Sequence, residues 1–444
     1  MKRSKLYENL IIFLLYLTVF QDIGLGILYN LTGQQGLIKV LFFTKDILMV
    51  LLFIWALFKK KYPIKLFLFF VIYFGILIFQ SIVAIDKGVP IFNVLSSIRG
   101  WLLMPCLITI GYAIKNRKHF YKHFRRFIGP FMIVVAIFGL LDFAIDSYVT
   151  STLPFWNDVV GIGKFMEDIK GQDTLFGLPG NFYGQYGGEF FSQKRLVSFW
   201  GGPLTSGYVF SIPVLYYFYK ALNPRGNKWN KKYFMCFLIV FLALVCTFTR
   251  TIILTVSVMI VLVMIIKGRE RERKLVFFIA PVVLAFGIFS FNKILDYIYD
   301  GSLIEHINQF TTSFSQISLF GEGMATFGVH SSIGTESVYI TSIGQNGLIF
   351  LILYMFGNIY PLYLITKPMK KVRRNILFSA VFCVGVIMVI SGFVSEQLIA
   401  YTTIAPYYIV LGYLTKYSAR LRKPKVCKKK KIEPVVTEGE AVYA

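Results

Sequence analysis

Residues 9–30 read NLIIFLLYLTVFQDIGLGILYN. One charged residue, Asp22, interrupts an otherwise apolar run. A helix rises about 1.5 Å per residue, so a run of this length crosses the roughly 30 Å of hydrocarbon in a bilayer. Lipid offers the backbone no hydrogen-bond partner, which makes a helix the natural reading. The run follows Lys2, Arg3 and Lys5, as a secretion signal does. No small-residue cleavage site follows it, so it reads as a retained signal anchor.

The pattern repeats outward from this stretch. Apolar runs occupy 36–58, 64–84, 89–114, 128–149, 199–220, 233–249, 251–267, 274–292, 346–366, 375–396 and 398–416. Charge clusters and Gly, Pro or Asn turns separate them. The 444 residues are 56% hydrophobic and only 16% charged. Mean hydropathy is +0.65, too high for a soluble domain of this size. A transmembrane barrel would show short alternating segments instead. The expected fold is an all-α integral membrane protein with about twelve transmembrane helices.

The net charge of +25 raises nucleic acid as a partner, and its distribution argues against it. Of 47 Lys and Arg, 37 fall at the N-terminus, in the connections 59–65, 115–126, 220–232, 267–274 and 367–374, and in the tail from Lys416 to Lys431. These segments alternate with the others. The positive-inside rule therefore puts them, and both termini, in the cytoplasm of a cell-membrane protein. The basic tail reads as disordered and in contact with anionic membrane lipid. Cys106, Cys236, Cys246 and Cys383 lie in predicted spans and Cys427 in the tail, so no disulfide is expected.

The expected organisation is an N-terminal helical part (1–149), a long outer loop (150–198), further spans (199–292), a second long outer loop (293–345), the last spans (346–416) and the tail (417–444). Loops of that length in a compact membrane protein are usually functional or disordered. The first is rich in glycine and aromatics, as in FGLPGNFYGQYGGEFF. In the second, Leu303, Ile307, Phe310, Phe314 and Ile317 recur at helical spacing, which predicts an amphipathic helix. Charges within the spans favour the same face: Asp22, Lys39, Lys45, Asp46, Arg99, Asp142 and Asp146 fall in the outer halves of their helices. Intramembrane charges pair with one another or line a cavity. Lys45 fits either an ion pair with Asp22 or Asp46 or a ligand-binding cation. Arg99 has no obvious local partner and reads as a contact for an anionic ligand.

Three stretches carry a resemblance: QKRLVSFWGGPLTSGY (193–208), TFTRTIILT (247–255) and LFGEGMATFGVHSSIGTESVYITSIGQNGLIFLILY (319–354). Their order and their place between long outer loops resemble the O-antigen ligase and polymerase superfamily, which includes the Wzy-type polysaccharide polymerases. Thr249 stands where that family often has Ser, Ser331 where it often has Asn, and Glu305 and His306 near where it often has Arg.

The resemblance implies a GT-C-like bundle with two long extracytoplasmic loops. It implies a metal-independent glycosyltransferase that uses no cofactor and acts on undecaprenyl-pyrophosphate-linked oligosaccharide at the outer leaflet. A flippase and a chain-length regulator are then the expected protein partners, beside membrane lipids. A pyrophosphate leaving group needs cations, and the planar arginine fork suits its oxygens. Arg195 and Arg250 are the expected catalytic cations. A sugar hydroxyl attacks better with a positioned base. His330 fills that role, with Glu336 beside or in place of it. Arg99, Lys45, Tyr183 and Trp200 are expected to bind substrate, the last two by stacking on sugar rings with Phe182 and Tyr186. A ligase of the same superfamily and a flippase of lipid-linked oligosaccharide remain as alternatives.

Overall fold

A computed structural model describes residues 2–58, 64–148, 160–170, 174–175, 178–179, 183–186, 189–222, 229–267, 308, 311, 318–328, 337–366, 376–393, 395 and 399–422. In chain order the helices are α1 (Lys2–Thr32), α2 (Gln35–Phe42), α3 (Thr44–Phe58), α4 (Ile64–Asp86), α5 (Ile91–Ala113), α6 (Arg117–Arg126), α7 (Met132–Tyr148), α8 (Ile162–Lys170), α9 (Pro203–Leu222), α10 (Lys231–Cys246), α11 (Arg250–Lys267), α12 (Val338–Thr366), α13 (Ile376–Ser391) and α14 (Tyr401–Arg422). A helix lies over each predicted apolar segment except 274–292, which is outside the described residues. Six stretches are long and apolar enough to cross a membrane: Lys5–Thr32, Gln35–Phe58, Leu68–Asp86, Ile91–Ala113, Arg117–Ala144 and Val338–Thr366. The protein is a membrane-embedded helical bundle.

Two short antiparallel ribbons interrupt the helices in the first long loop. Strands β1 (Thr174–Leu175) and β2 (Leu178–Pro179) pair, and β3 (Tyr183–Tyr186) pairs with β4 (Glu189–Lys194). Ahead of them α8 packs through Ile162, Phe165 and Met166 against Ile23 and Tyr29 of α1 and Ile38 of α2.

Boundaries differ from the sequence reading in several places, among them α1, which starts at Lys2 rather than residue 9. The basic connection 115–126 is largely helix. Asn116 caps α6 by accepting from the His119 amide, and a π-turn at Phe127–Phe131, containing Gly129 and Pro130, kinks it into α7. Helix α12 starts at Val338 rather than 346, inside the expected second loop. Helix α14 runs to Arg422, into the expected tail. The expected amphipathic segment 303–317 lies almost wholly outside the described residues.

Helix α9 is the axis of the bundle. Every residue of it is buried except Leu204 and Lys220. Helices α10, α11, α13 and α14 surround it. Four tyrosines and Lys220 lower its hydropathy, yet burial on all sides is what a central helix requires. Helix α14 packs along α5 at very close range. A Cβ on Gly111 would fall 1.9 Å from the Ile409 carbonyl oxygen, and one on Gly412 would fall 2.0 Å from that of Ile108. Small residues at such crossings let two backbones touch, the main source of helix association in lipid. Large apolar side chains such as Leu51, Ile78, Leu254 and Ile352 point outward, where lipid can receive them.

Candidate functional site

The site is built where the first long loop returns to the bundle. After β4 the chain lies along the turn between α10 and α11. The Leu196 amide donates to the Cys246 carbonyl at 2.9 Å. Arg195 Nε donates to the Thr247 carbonyl at 3.0 Å, and its Nη2 reaches Thr249 Oγ1 at 3.5 Å. The turn is itself stitched: Thr247 Oγ1 donates to the Leu244 carbonyl at 2.7 Å and lies 3.0 Å from Thr249 Oγ1. Phe248 takes a left-handed conformation (φ 49°), and the Thr249 carbonyl accepts from the Ile253 amide as α11 begins. Gly207 of α9 lets this turn approach, because a Cβ there would sit 2.9 Å from Thr249 Oγ1.

This geometry brings two of the predicted catalytic residues together. Arg250 is the first residue of α11 and is exposed, next to the half-buried Arg195. Burial first, and the Arg250 charge second, push the Arg195 guanidinium down to about 10, which leaves it protonated at neutral pH. Two like charges held together at a helix N-terminus, already the positive end of the helix dipole, form a strongly electropositive spot. Its chemistry is that of an anion site.

Beyond Trp200, the chain bends through Gly201 into α9, with Pro203 at the first helical position where no amide is needed. Trp200 is not available to stack on a sugar: it is only 2% exposed and packs edge-on against Phe210 at 5.3 Å. Tyr183 opens β3, opposite Lys194 in the ribbon.

Arg99, which the sequence suggests as a contact for an anionic ligand, has a carboxylate partner. Its Nε lies 3.2 Å from Asp46 Oδ1. The residues are far apart in sequence, and α3 packing on α5 joins them. Lys45 is buried, with Nζ 4.5 Å above the Phe42 ring and its charge acting on Asp46. Phe42 also lies 5.5 Å from the Arg99 guanidinium carbon. These groups form a charge cluster stabilised within the bundle. His330 and Glu336 lie outside the described residues.

Helix α12 breaks at Gly347 (φ 84°, ψ 171°), and residues 318–323 fill the break. The Glu322 amide donates to the Gly344 carbonyl at 2.8 Å, that of Gly323 to Gln345 at 3.1 Å, and that of Leu348 to Ser318 at 3.3 Å. The loop thus satisfies backbone groups that the break would expose, as irregular backbone inside a membrane protein must. Gln345 locks the arrangement. Its Oε1 accepts from Ser97 Oγ at 2.7 Å and Trp101 Nε1 at 2.9 Å, and its Nε2 donates to the Phe327 carbonyl. Ser337 Oγ donates to the Gly392 carbonyl at 3.1 Å and ties the start of α12 to the end of α13.

Sequence reading passed over Gln345, and also Asn346 and Ser342. The Asn346 amide and Ser342 Oγ are buried without a hydrogen-bond partner among the described residues. The signal was the Gln-Asn pair in an otherwise apolar run.

No protein-family model matches the chain, and no curated protein sequence matches it.

Proposed function

We propose that this protein polymerises lipid-pyrophosphate-linked oligosaccharide repeat units at the outer leaflet of the cell membrane, making capsular, exopolysaccharide or O-antigen chains. In this proposal the chain crosses the membrane twelve times with both termini in the cytoplasm, and the Arg195–Arg250 pair lies at the outer headgroup level, where such a pyrophosphate sits. The observation that carries the reading is the convergence of these two arginines on one turn.

In the proposed reaction a sugar hydroxyl of one repeat unit attacks the anomeric carbon of the growing chain. The bond from that carbon to the lipid pyrophosphate breaks, and the pyrophosphate leaves with the electron pair. Arg195 and Arg250 stabilise its charge, and His330, held or replaced by Glu336, takes the hydroxyl proton. Fixed donors aimed at developing charge supply a large part of such catalysis, and losing one costs about 100- to 1000-fold.

The test is deletion of the gene followed by analysis of lipid-linked glycans. A polymerase deletion accumulates single repeat units on the outer leaflet. Accumulation on the inner leaflet supports a flippase instead, and finished polymer left on its lipid carrier supports a ligase. Stably inserted Arg195→Ala and Arg250→Ala proteins that still make full-length polymer would remove the site assignment.

A further inference from the structure

The opposite end of α9 carries a second cation cluster that the proposed reaction does not use. Arg195 precedes the first turn of α9 and Lys220 lies in its last turn. The helix rises about 25 Å from Pro203 to Lys220, close to the thickness of the hydrocarbon layer, so the two clusters lie toward opposite faces of the bilayer.

Lys220 is held between two rings, its Nζ 4.6 Å from the Tyr216 centroid and 4.3 Å from that of Tyr233. Arg125 of α6 and Lys232 of α10 are close enough to repel it. The Asn230 amide donates to the Ala221 carbonyl at 2.9 Å, and the Asn230 side chain caps α10, which fixes the corner where these elements meet. Among the described residues, neither Lys220 nor Arg125 forms an ion pair with a carboxylate. The connections 115–126 and 220–232 hold no Asp or Glu at all. The Tyr216 side chain is 2% exposed, and its hydroxyl has no hydrogen-bond partner among the described residues. The fold therefore assembles like charges and a buried donor with no acceptor between them.

We propose that Arg125, Lys220 and the Tyr216 hydroxyl bind a phosphate group, supplied by an anionic phospholipid of the leaflet facing this end of the bundle. A phosphodiester offers charge to both cations and an acceptor oxygen to the phenol. A basic pocket between membrane helices at headgroup depth is suited to such lipids. Aromatic rings on Lys220 hold its ammonium in place, so little ordering remains to be done on binding.

The experiment uses the full-length protein in neutral phosphatidylcholine nanodiscs. Phosphatidylglycerol is titrated and unfolding temperature recorded, with inorganic phosphate in a parallel arm. The expected result is saturable stabilisation by phosphatidylglycerol, with half-saturation weakened about tenfold or more in Arg125→Gln/Lys220→Gln, as the loss of hydrogen bonds to a charged group implies. Tyr216→Phe removes one oxygen from an otherwise intact side chain. It is expected to weaken half-saturation by several-fold, and it decides the matter if the double variant does not fold. A shift by inorganic phosphate that the variants lose keeps the phosphate site and transfers its source to soluble phosphate. Equal stabilisation of wild type and variants by phosphatidylglycerol, or no response of the wild type to either probe, overturns the proposal.

Discussion

Arg99 Nε lies 3.2 Å from Asp46 Oδ1, an ion pair that joins α5 to α3. The side chains are 26% and 13% exposed, so removing the arginine leaves a poorly solvated carboxylate behind. Breaking one partner of such a pair is far more costly than removing both. Arg99→Gln is expected to destabilise the protein by about 2–4 kcal/mol. Arg99→Gln/Asp46→Asn should recover most of that loss, a coupling that thermal unfolding in detergent measures. A single variant as stable as wild type but weaker in substrate binding would restore the anion-contact role that sequence alone assigned to Arg99.

Arg195→Lys keeps the charge and loses the planar fork, including the Nε bond to the Thr247 carbonyl. Polymer formation by membranes containing this variant is expected to fall about tenfold or more, as for other hydrogen bonds to charged groups. Thr249→Ser keeps the hydroxyl that faces Arg195 and should retain nearly full rate. Equal rates for Arg195→Lys and wild type would mean that charge alone suffices.

Gly207→Val tests the same turn from the other side. A Cβ at 207 already falls 2.9 Å from Thr249 Oγ1, so the larger side chain must push the turn away from Arg195. Polymer yield should drop while the protein stays inserted, checked by immunoblot beside glycan analysis.

Gly347 holds a backbone conformation open essentially to glycine alone, and a Cβ there would lie 2.3 Å from the Leu319 carbonyl oxygen. Gly347→Ala should cost at least about 1–3 kcal/mol. Glu322→Gln is the control. Its ion pair with Lys87 is 2.6 Å long but nearly half exposed on both sides, and exposed pairs contribute about 0–1 kcal/mol. Unfolding temperatures of the two variants should differ clearly.

Gln345→Leu removes the acceptor shared by Ser97 and Trp101 and the donor to Phe327. Leaving the Trp101 indole N–H buried and unbonded costs about 1–3 kcal/mol. The loop 318–328 should become more sensitive to limited proteolysis than in wild type, and unchanged cleavage would show that Gln345 does not hold it.

Hydropathy located the helices because a membrane helix satisfies its own backbone and needs only a long enough apolar run, a property of neighbouring residues. That reading matched α4 and α5 to within two residues at each end, whereas α1 begins seven residues earlier than expected, at Lys2. It failed at the start of α12, where Ser337, Ser342, Gln345 and Asn346 dilute the apolar signal although the protein buries them. It also mistook Trp200, since aromatic composition does not tell a sugar platform from a core side chain.

The sequence by itself determined a basic, helical, membrane-embedded chain and singled out Arg195 and Arg250 as residues whose chemistry suits a pyrophosphate. Only the tertiary structure decided that these two arginines meet, that Arg99 belongs to Asp46, and that a loop fills the break in α12. Arg195 and Thr247 are 52 positions apart, and Gln345 and Ser97 are 248 apart. Hydropathy and spacing act over a few turns, whereas such partners depend on which helix faces pack together, and packing is a property of the whole bundle.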